Sequence, residues 1–343
     1  MRGSTRARFW VRSLRCAVDV GHHYSENRVK AFIADRRATE RSRGDQILGA
    51  LCIAAGLLTA AVLVEIAYQV ISGAAPAVSK FGLGFLWHTD WAPNLNHFGA
   101  GVPLYGTAVT SLIAMIIAVP LSIAIALYLA MLAPGPVRAV VGPLVEMLAA
   151  IPSVILGFWG LIYLAPYVHA HVEPFLHNAL GFLPIFGPPQ TTGLSLFTAG
   201  LILTVMIVPI IASLSRDLFL TVPPELIEGA EALGATRWEV IRGVVLPSTI
   251  SGVAAATTLG LGRALGESIA VLSVVGTAAR IHTSLFETGN TLAARIANDI
   301  QYPVSGLQIN AIFYLALILL VFGVATNLLA RAVARRYDVH SSF

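Results

Sequence analysis

The chain has 343 residues, 56% of them hydrophobic and 12% charged, and a mean hydropathy of +0.77. That much apolar surface does not fit inside one soluble core, so the composition excludes a soluble globular protein and requires an integral membrane protein. The net charge of +4 does not call for a nucleic-acid partner, because half of the 22 Lys and Arg fall in the first 46 residues, directly before an apolar run, where topology accounts for them.

Taken in order, residues 1–46 read as a basic cytoplasmic tail, a topology anchor rather than a folded domain. Residues 47–72 supply the first span, and their apolar character continues past Glu65, which is enough to cross a hydrocarbon core of about 30 Å. Residues 73–101 carry Trp87 and Trp91 with Lys80 as the sole basic residue and read as an external loop. The second span covers 102–133 and is kinkable at Pro120. After a turn at 134–142 the third span runs over 143–166, with Glu146 near its inner end. Residues 167–193 lack Lys and Arg and contain four prolines, which marks an external loop. The fourth span is 194–214, a polar loop covers 215–249, the fifth span is 250–278, an external segment covers 279–308, the sixth span is 309–330, and 331–343 form a short tail. With both termini cytoplasmic, 18 of the 22 Lys and Arg lie on inside segments and three outside. The positive-inside rule therefore supports an all-α, six-helix polytopic protein in this orientation.

Cys16 and Cys52 fall in the tail and the first span, so no disulfide or thiolate metal site is implied. His22 and His23 stand in the tail as bystanders. His169 and His171 alternate near Glu173, but a metal site is not expected there, and no cofactor is expected anywhere. There is no GxxxxGK[ST] sequence, so the chain lacks a phosphate-cradling loop of its own for ATP.

The loop from Glu228 to Pro247, EGAEALGATRWEVIRGVVLP, is too polar to cross a membrane. Pro223 and Pro224 suit the first turn of a helix, Gly234 breaks it, and Thr236 with Glu239 has capping-box spacing for a second helix; Pro247 closes the unit. This stretch resembles the EAA loop of ABC import permeases. Glu228, Ala230, Gly234, Leu246 and Pro247 match at the required spacing, while Gly229 and Val244 replace the usual Ala and Ile. The resemblance implies a coupling helix that docks on a separate ATPase subunit. Gly229, Ala230 and Gly234 would then let that partner approach closely, and Glu228 would offer a charge. The plainer reading is an ordinary amphipathic cytoplasmic loop.

Arg263 lies about 20 Å along the fifth span, near mid-membrane, where insertion of Arg costs about 2.5 to 3.5 kcal/mol. Glu267 follows one turn later on the same face, and Gly262 with Gly266 has the spacing that permits close helix approach. The pair is either a structural ion pair or a polar site on a translocation path. The string GLGRALGES around it is similar to a segment of permease subunits of bacterial phosphate importers. PLYGT at 103–107, EMLAAIPS at 146–153 and VPIIA at 208–212 are similar as well. Together they imply the type I ABC importer permease fold in the bacterial inner membrane, inorganic phosphate as substrate, and a role for Arg263 and Glu267 in its passage. They further imply a separate ATPase, a second permease subunit, a periplasmic phosphate-binding protein, surrounding lipid, and no catalysis by this chain. A permease for molybdate or sulfate, or a proton-coupled transporter using the pair as a relay, stays open on the sequence.

Overall fold

The computed structural model describes residues 43–278 and 280–338; the tail with Cys16, His22 and His23 lies outside the described residues. The chain divides into two compact units, Met1–Ala67 and Tyr68–Phe343. The described part of the first unit belongs to helix α1, Arg43–Phe81. Its side chains from Gln46 to Ile66 are exposed and, Glu65 and Gln46 apart, almost uniformly apolar, the mark of a helix meant for lipid rather than for water.

The described part of the second unit is helical, with a single isolated bridge between Ala92 and His97. Its helices are α2, Gly101–Leu132; α3, Gly135–Ala149; α4, Ser153–Leu180; α5, Leu196–Leu220; α6, Pro224–Ala232; α7, Arg237–Gly266; α8, Ile269–Val275; α9, Leu292–Asp299; and α10, Gly306–Asp338. Among the described residues, six helices in the whole chain are long and apolar enough to cross a membrane: α1, α2, α4, α5, α7 and α10.

The core gathers on α5. Ile202, Leu203, Ile207 and Ile211 of α5 pack with Ala114 and Ala118 of α2, Ala264 of α7 and Val271, Val274 and Val275 of α8. Small residues set how close the neighbours come: a Cβ on Gly160 would meet Ile202 at 2.6 Å, and one on Gly260 would meet Ile211 at 2.6 Å. Across the α2/α5 contact the Ser122 hydroxyl donates to the Val208 carbonyl at 3.1 Å, a polar tie of the kind that joins helices where water is absent. Two further clusters flank the core. One joins Ala74, Ala77 and Phe85 to Ala311, Tyr314, Leu315 and Ile318 of α10. The other joins Ala126 and Ala130 to Phe219, Val222, Val240 and Val245 beneath the polar loop.

Helix bounds depart from the sequence expectation wherever proline was taken as punctuation. The turn expected at 134–142 is helix α3, started by Pro136 at its first turn. The break falls instead at Pro152, which caps α4. The segment expected as external loop from 167 stays helical to Leu180, and the one expected from 73 stays helical to Phe81. Four prolines share one cause. Pro134, Pro166, Pro174 and Pro247 each stand two residues after a five-residue π-turn: Tyr128–Leu132, Gly160–Leu164, Val168–Val172 and Ile241–Val245. In each case the residue before the proline donates to the carbonyl five positions back, as Ala133 does to Tyr128 at 2.7 Å. A proline lacks the N–H and strikes the carbonyl four back; a wider turn placed just ahead of it carries that carbonyl aside. At Pro166, Pro174 and Pro247 the helix then continues, so Pro247 does not close the polar unit but lies inside α7.

Candidate functional site

The polar loop folds as the sequence expects up to that point. Pro223 and Pro224 open α6, and Glu225 sits in its first turn. The helix ends where Gly234 takes φ +88°, a left-handed conformation that costs an L-residue about 1 to 2 kcal/mol. The Gly234 N–H donates to Glu231 O at 2.9 Å and the Ala235 N–H to Ala230 O at 3.1 Å, which satisfies the last carbonyls of α6. The capping box then starts α7: the Glu239 N–H donates to Thr236 Oγ1 at 3.4 Å, and the Thr236 N–H to Glu239 Oε2 at 2.7 Å.

The small residues of this loop divide by face. Gly229 and Gly234 are exposed, and no atom lies within 4 Å of a Cβ built on either. Ala230 turns the other way and packs, with Ile227 and Leu246, on the cluster of Phe219 and Val245. Ala230 therefore helps seat α6 on its own chain while staying partly exposed. Glu228 is exposed and Pro247 is exposed within α7. Sequence reasoning missed three side chains here. Leu233, at 92% exposure, Trp238, at 63%, and Leu226, at 52%, stand out from a hydrophilic loop; large apolar residues in an otherwise polar stretch were the available signal. Also missed was the partner of Glu146. The Arg216 guanidinium reaches Glu146 at 2.8 Å and Asp217 at 2.9 Å, and it lies over Gly142, where a Cβ would meet Nη1 at 2.7 Å.

At the other end of α7 the structure brings Arg263 and Glu267 together, Nη2 to Oε2, at 3.7 Å. The fifth span expected as one helix to residue 278 is not continuous. It stops at Gly266, and Glu267 is extended at φ −73°, ψ 122°. The reason is that Glu267 serves a second helix: its Oε1 accepts from the Ala270 N–H at 3.3 Å, satisfying a donor that α8 would otherwise leave orphaned. The Glu267 side chain is 7% exposed and the Arg263 side chain 46%. Glu267 is the single ion-pair partner of Arg263 among the described residues, and one contact of 3.7 Å leaves most of the five guanidinium donors uncommitted. Beside it Gly262 and Gly266 are exposed with no atom within 4 Å of a built Cβ. The close approach that their spacing permits is therefore not filled by the described residues.

His169 and Glu173 pair at 3.4 Å, with the Glu173 side chain wholly buried. Among the described residues no three His, Cys, Asp or Glu side chains converge as metal ligands would.

Residues 118–339 match the family described as binding-protein-dependent transport system inner membrane component. The chain is 45% identical to the phosphate transport system permease protein PstC of Pasteurella multocida, over 82% of this chain and 88% of that one. It is 42% identical to the PstC of Mesorhizobium japonicum, over 91% and 97%. In fold it is similar to a chain of the crystal structure of a bacterial alginate ABC transporter in complex with a pentasaccharide-bound periplasmic protein, with a TM-score of 0.56, 19% identity and coverage of 87% and 98%. A match over most of the length by sequence, with the same helical architecture, shows that the chain belongs to the binding-protein-dependent transport system inner membrane component family.

Proposed function

We propose that this chain is the permease subunit of an inner-membrane ABC importer for inorganic phosphate, and that Arg263 meets the anion on its way through. The observation that carries the second part is the half-exposed guanidinium of Arg263, held by one long contact to Glu267 on a helix face that the described residues leave bare. An oxyanion entering a region of low dielectric needs a cation, and the planar fork of Arg suits phosphate oxygens. Glu267 holds that fork in place and offsets its charge between passages. A fully compensated Arg would not attract the anion, and an uncompensated one would retain it. The bare stripe of Gly262 and Gly266 supports a second permease subunit as the other wall of the path.

The energy comes from ATP hydrolysed by a separate subunit docked on α6 and the start of α7. Glu228, Gly229, Gly234, Leu233 and Trp238 supply the docking face. Both termini face the cytoplasm, and a periplasmic binding protein delivers phosphate from the opposite side. The test is uptake of radiolabelled phosphate by cells with and without the chain, competed with arsenate, sulfate and molybdate. Competition by arsenate alone is the expected result; equal competition by sulfate or molybdate overturns the substrate assignment.

A further inference from the structure

Where α1 ends, the second unit holds a cavity of about 280 Å³ whose lining includes neither the Arg263 and Glu267 pair nor the polar loop. Its floor is aromatic. Phe85 is 1% exposed and stacks on Tyr314 with ring centres 4.4 Å apart, and Phe98 is 4% exposed and meets Phe81 edge-on at 6.1 Å. Its rim is polar, formed by Lys80, His88, Asp90 and His97. The walls are fixed by backbone bonds: Ala100 N–H to Phe85 O at 2.7 Å, Gly101 N–H to His88 O at 3.0 Å, and the two bonds between Ala92 and His97 at 2.8 and 3.2 Å. The site is thus preformed rather than a gap under a slack loop.

Two opposite charges line this one cavity without meeting. Among the described residues Lys80 has no carboxylate and Asp90 no cation within ion-pair distance; the Lys80 ammonium stands over the Phe81 ring, 5.5 Å from its centre. His88 donates from Nδ1 to the Gly84 carbonyl at 2.7 Å, which fixes the ring and makes Nε2 of the neutral imidazole an acceptor. A ligand that fits must carry an anion for Lys80, and near it a cation with N–H donors for Asp90 and His88. The aromatic floor favours that cation too.

The level in the membrane says where such a ligand comes from. The Tyr314 hydroxyl donates to Gly82 O at 3.0 Å, so the floor stands beside the first turns of α10, whose apolar run ends at Arg331. About 20 residues cross the hydrocarbon core; counted back from Arg331 they reach residue 311, so Tyr314 and the cavity lie at the edge of the core, at headgroup depth. Trp87, next in sequence to the rim residue His88, is 84% exposed, as an interfacial tryptophan is. We infer that this cavity binds the headgroup of a zwitterionic phospholipid with a primary ammonium, phosphoethanolamine, with its phosphate on Lys80 and its ammonium on Asp90. A quaternary ammonium of the phosphocholine type has no N–H to give Asp90 and fits less well.

The assembled transporter, purified in mild detergent, is exchanged into nanodiscs containing equal parts of phosphatidylethanolamine and phosphatidylcholine, and the lipid carried through native mass spectrometry is identified. Retention of phosphatidylethanolamine at least about tenfold over phosphatidylcholine is expected, falling to parity in Lys80→Gln with Asp90→Asn. Both residues are on the cavity rim, and an unchanged melting temperature shows that the variant folds. Free phosphoethanolamine at millimolar concentration should displace the bound lipid, whereas inorganic phosphate should not; displacement by phosphate alone overturns the headgroup assignment. Equal retention of the two lipids by the wild type, or unchanged selectivity in the double variant, overturns the site. A double variant that loses stimulation by a phosphate-binding protein while its lipid selectivity is unchanged assigns the cavity to protein docking instead, and also overturns it.

Discussion

Glu267 carries two duties on two oxygens, and substitutions separate them. Glu267→Gln keeps a carbonyl oxygen for the Ala270 N–H, so the start of α8 should hold; Glu267→Ala loses it and should weaken α8 by about 0.5 to 2 kcal/mol, as loss of a helix cap does, seen as faster amide exchange over 269–275. Arg263→Gln removes the cation. If Arg263 meets phosphate, a charge-assisted bond of about 1.5 to 3 kcal/mol is lost and uptake falls about 10- to 100-fold, while the complex still assembles. If the pair only braces the fold, the single change strands a carboxylate that is 7% exposed. That costs up to about 3 to 5 kcal/mol for a fully buried pair, less here because Arg263 is nearly half exposed. The variant Arg263→Gln with Glu267→Gln decides: packing recovers in both accounts, and recovery of uptake as well would refute the anion-path role. The pairing of these two residues was legible from their spacing of four. The helix end between them was not, because nothing in LGES marks a carboxylate that caps the next helix.

The proposed docking segment separates two roles of glycine in the same way. Gly229 lies inside α6 with open space around it. Leu there gains about 0.8 to 1 kcal/mol of helix propensity over Gly, so Gly229→Leu should fold at least as well yet release the ATPase, measured by copurification. Gly234→Leu also meets open space, but forces a side chain onto φ +88°; it should lose both the turn and the partner. Normal ATPase recovery with Gly229→Leu would remove that face from the docking surface. Thr236→Ala should cost about 0.5 to 2 kcal/mol, confined to the first turn of α7. Both caps were readable in the sequence because they depend on residues three apart and on no distant partner. The course of α7 past Pro247 was not, because a proline reads as a stop unless the π-turn ahead of it is known, and IRGVV carries no residue that demands one.

For the molecule as a whole, orientation rests on the distribution of Lys and Arg, with 18 of 22 on segments expected inside. Single cysteines placed over 183–190, beyond the end of α4, in a background lacking Cys16 and Cys52, should react with an impermeant maleimide added to intact cells. Cysteines over 225–235 should react only after permeabilisation. The reverse pattern would overturn the orientation and import with it. Hydropathy fixes how many helices are long enough to cross, and all six were countable on the sequence. Their rank in the core was not: α5 and α1 are both strongly apolar, yet two thirds of the most apolar window of α5 is buried and none of that of α1. Only partners distant in sequence, such as Ala114 and Val274 on Ile202 and its neighbours, make one of them central.

Helix α7 runs unbroken from the docking loop to the Arg263 and Glu267 pair, and in mechanical terms it is a lever arm with a load at each end. From Arg237 to Arg263 the arm measures about 39 Å at 1.5 Å per residue. A tilt of about 5° at the docking end sweeps the guanidinium end through about 3 Å, comparable to the whole reach of its contact with Glu267. The π-turn at Ile241–Val245 lies close to the base, and from Leu246 the arm is regular α-helix to Gly266. If an ATPase docks at one end and the anion passes at the other, as proposed, stiffness beyond Pro247 sets how much of the stroke arrives: a softening glycine in the middle of α7 would then leave ATP hydrolysis intact while uptake falls.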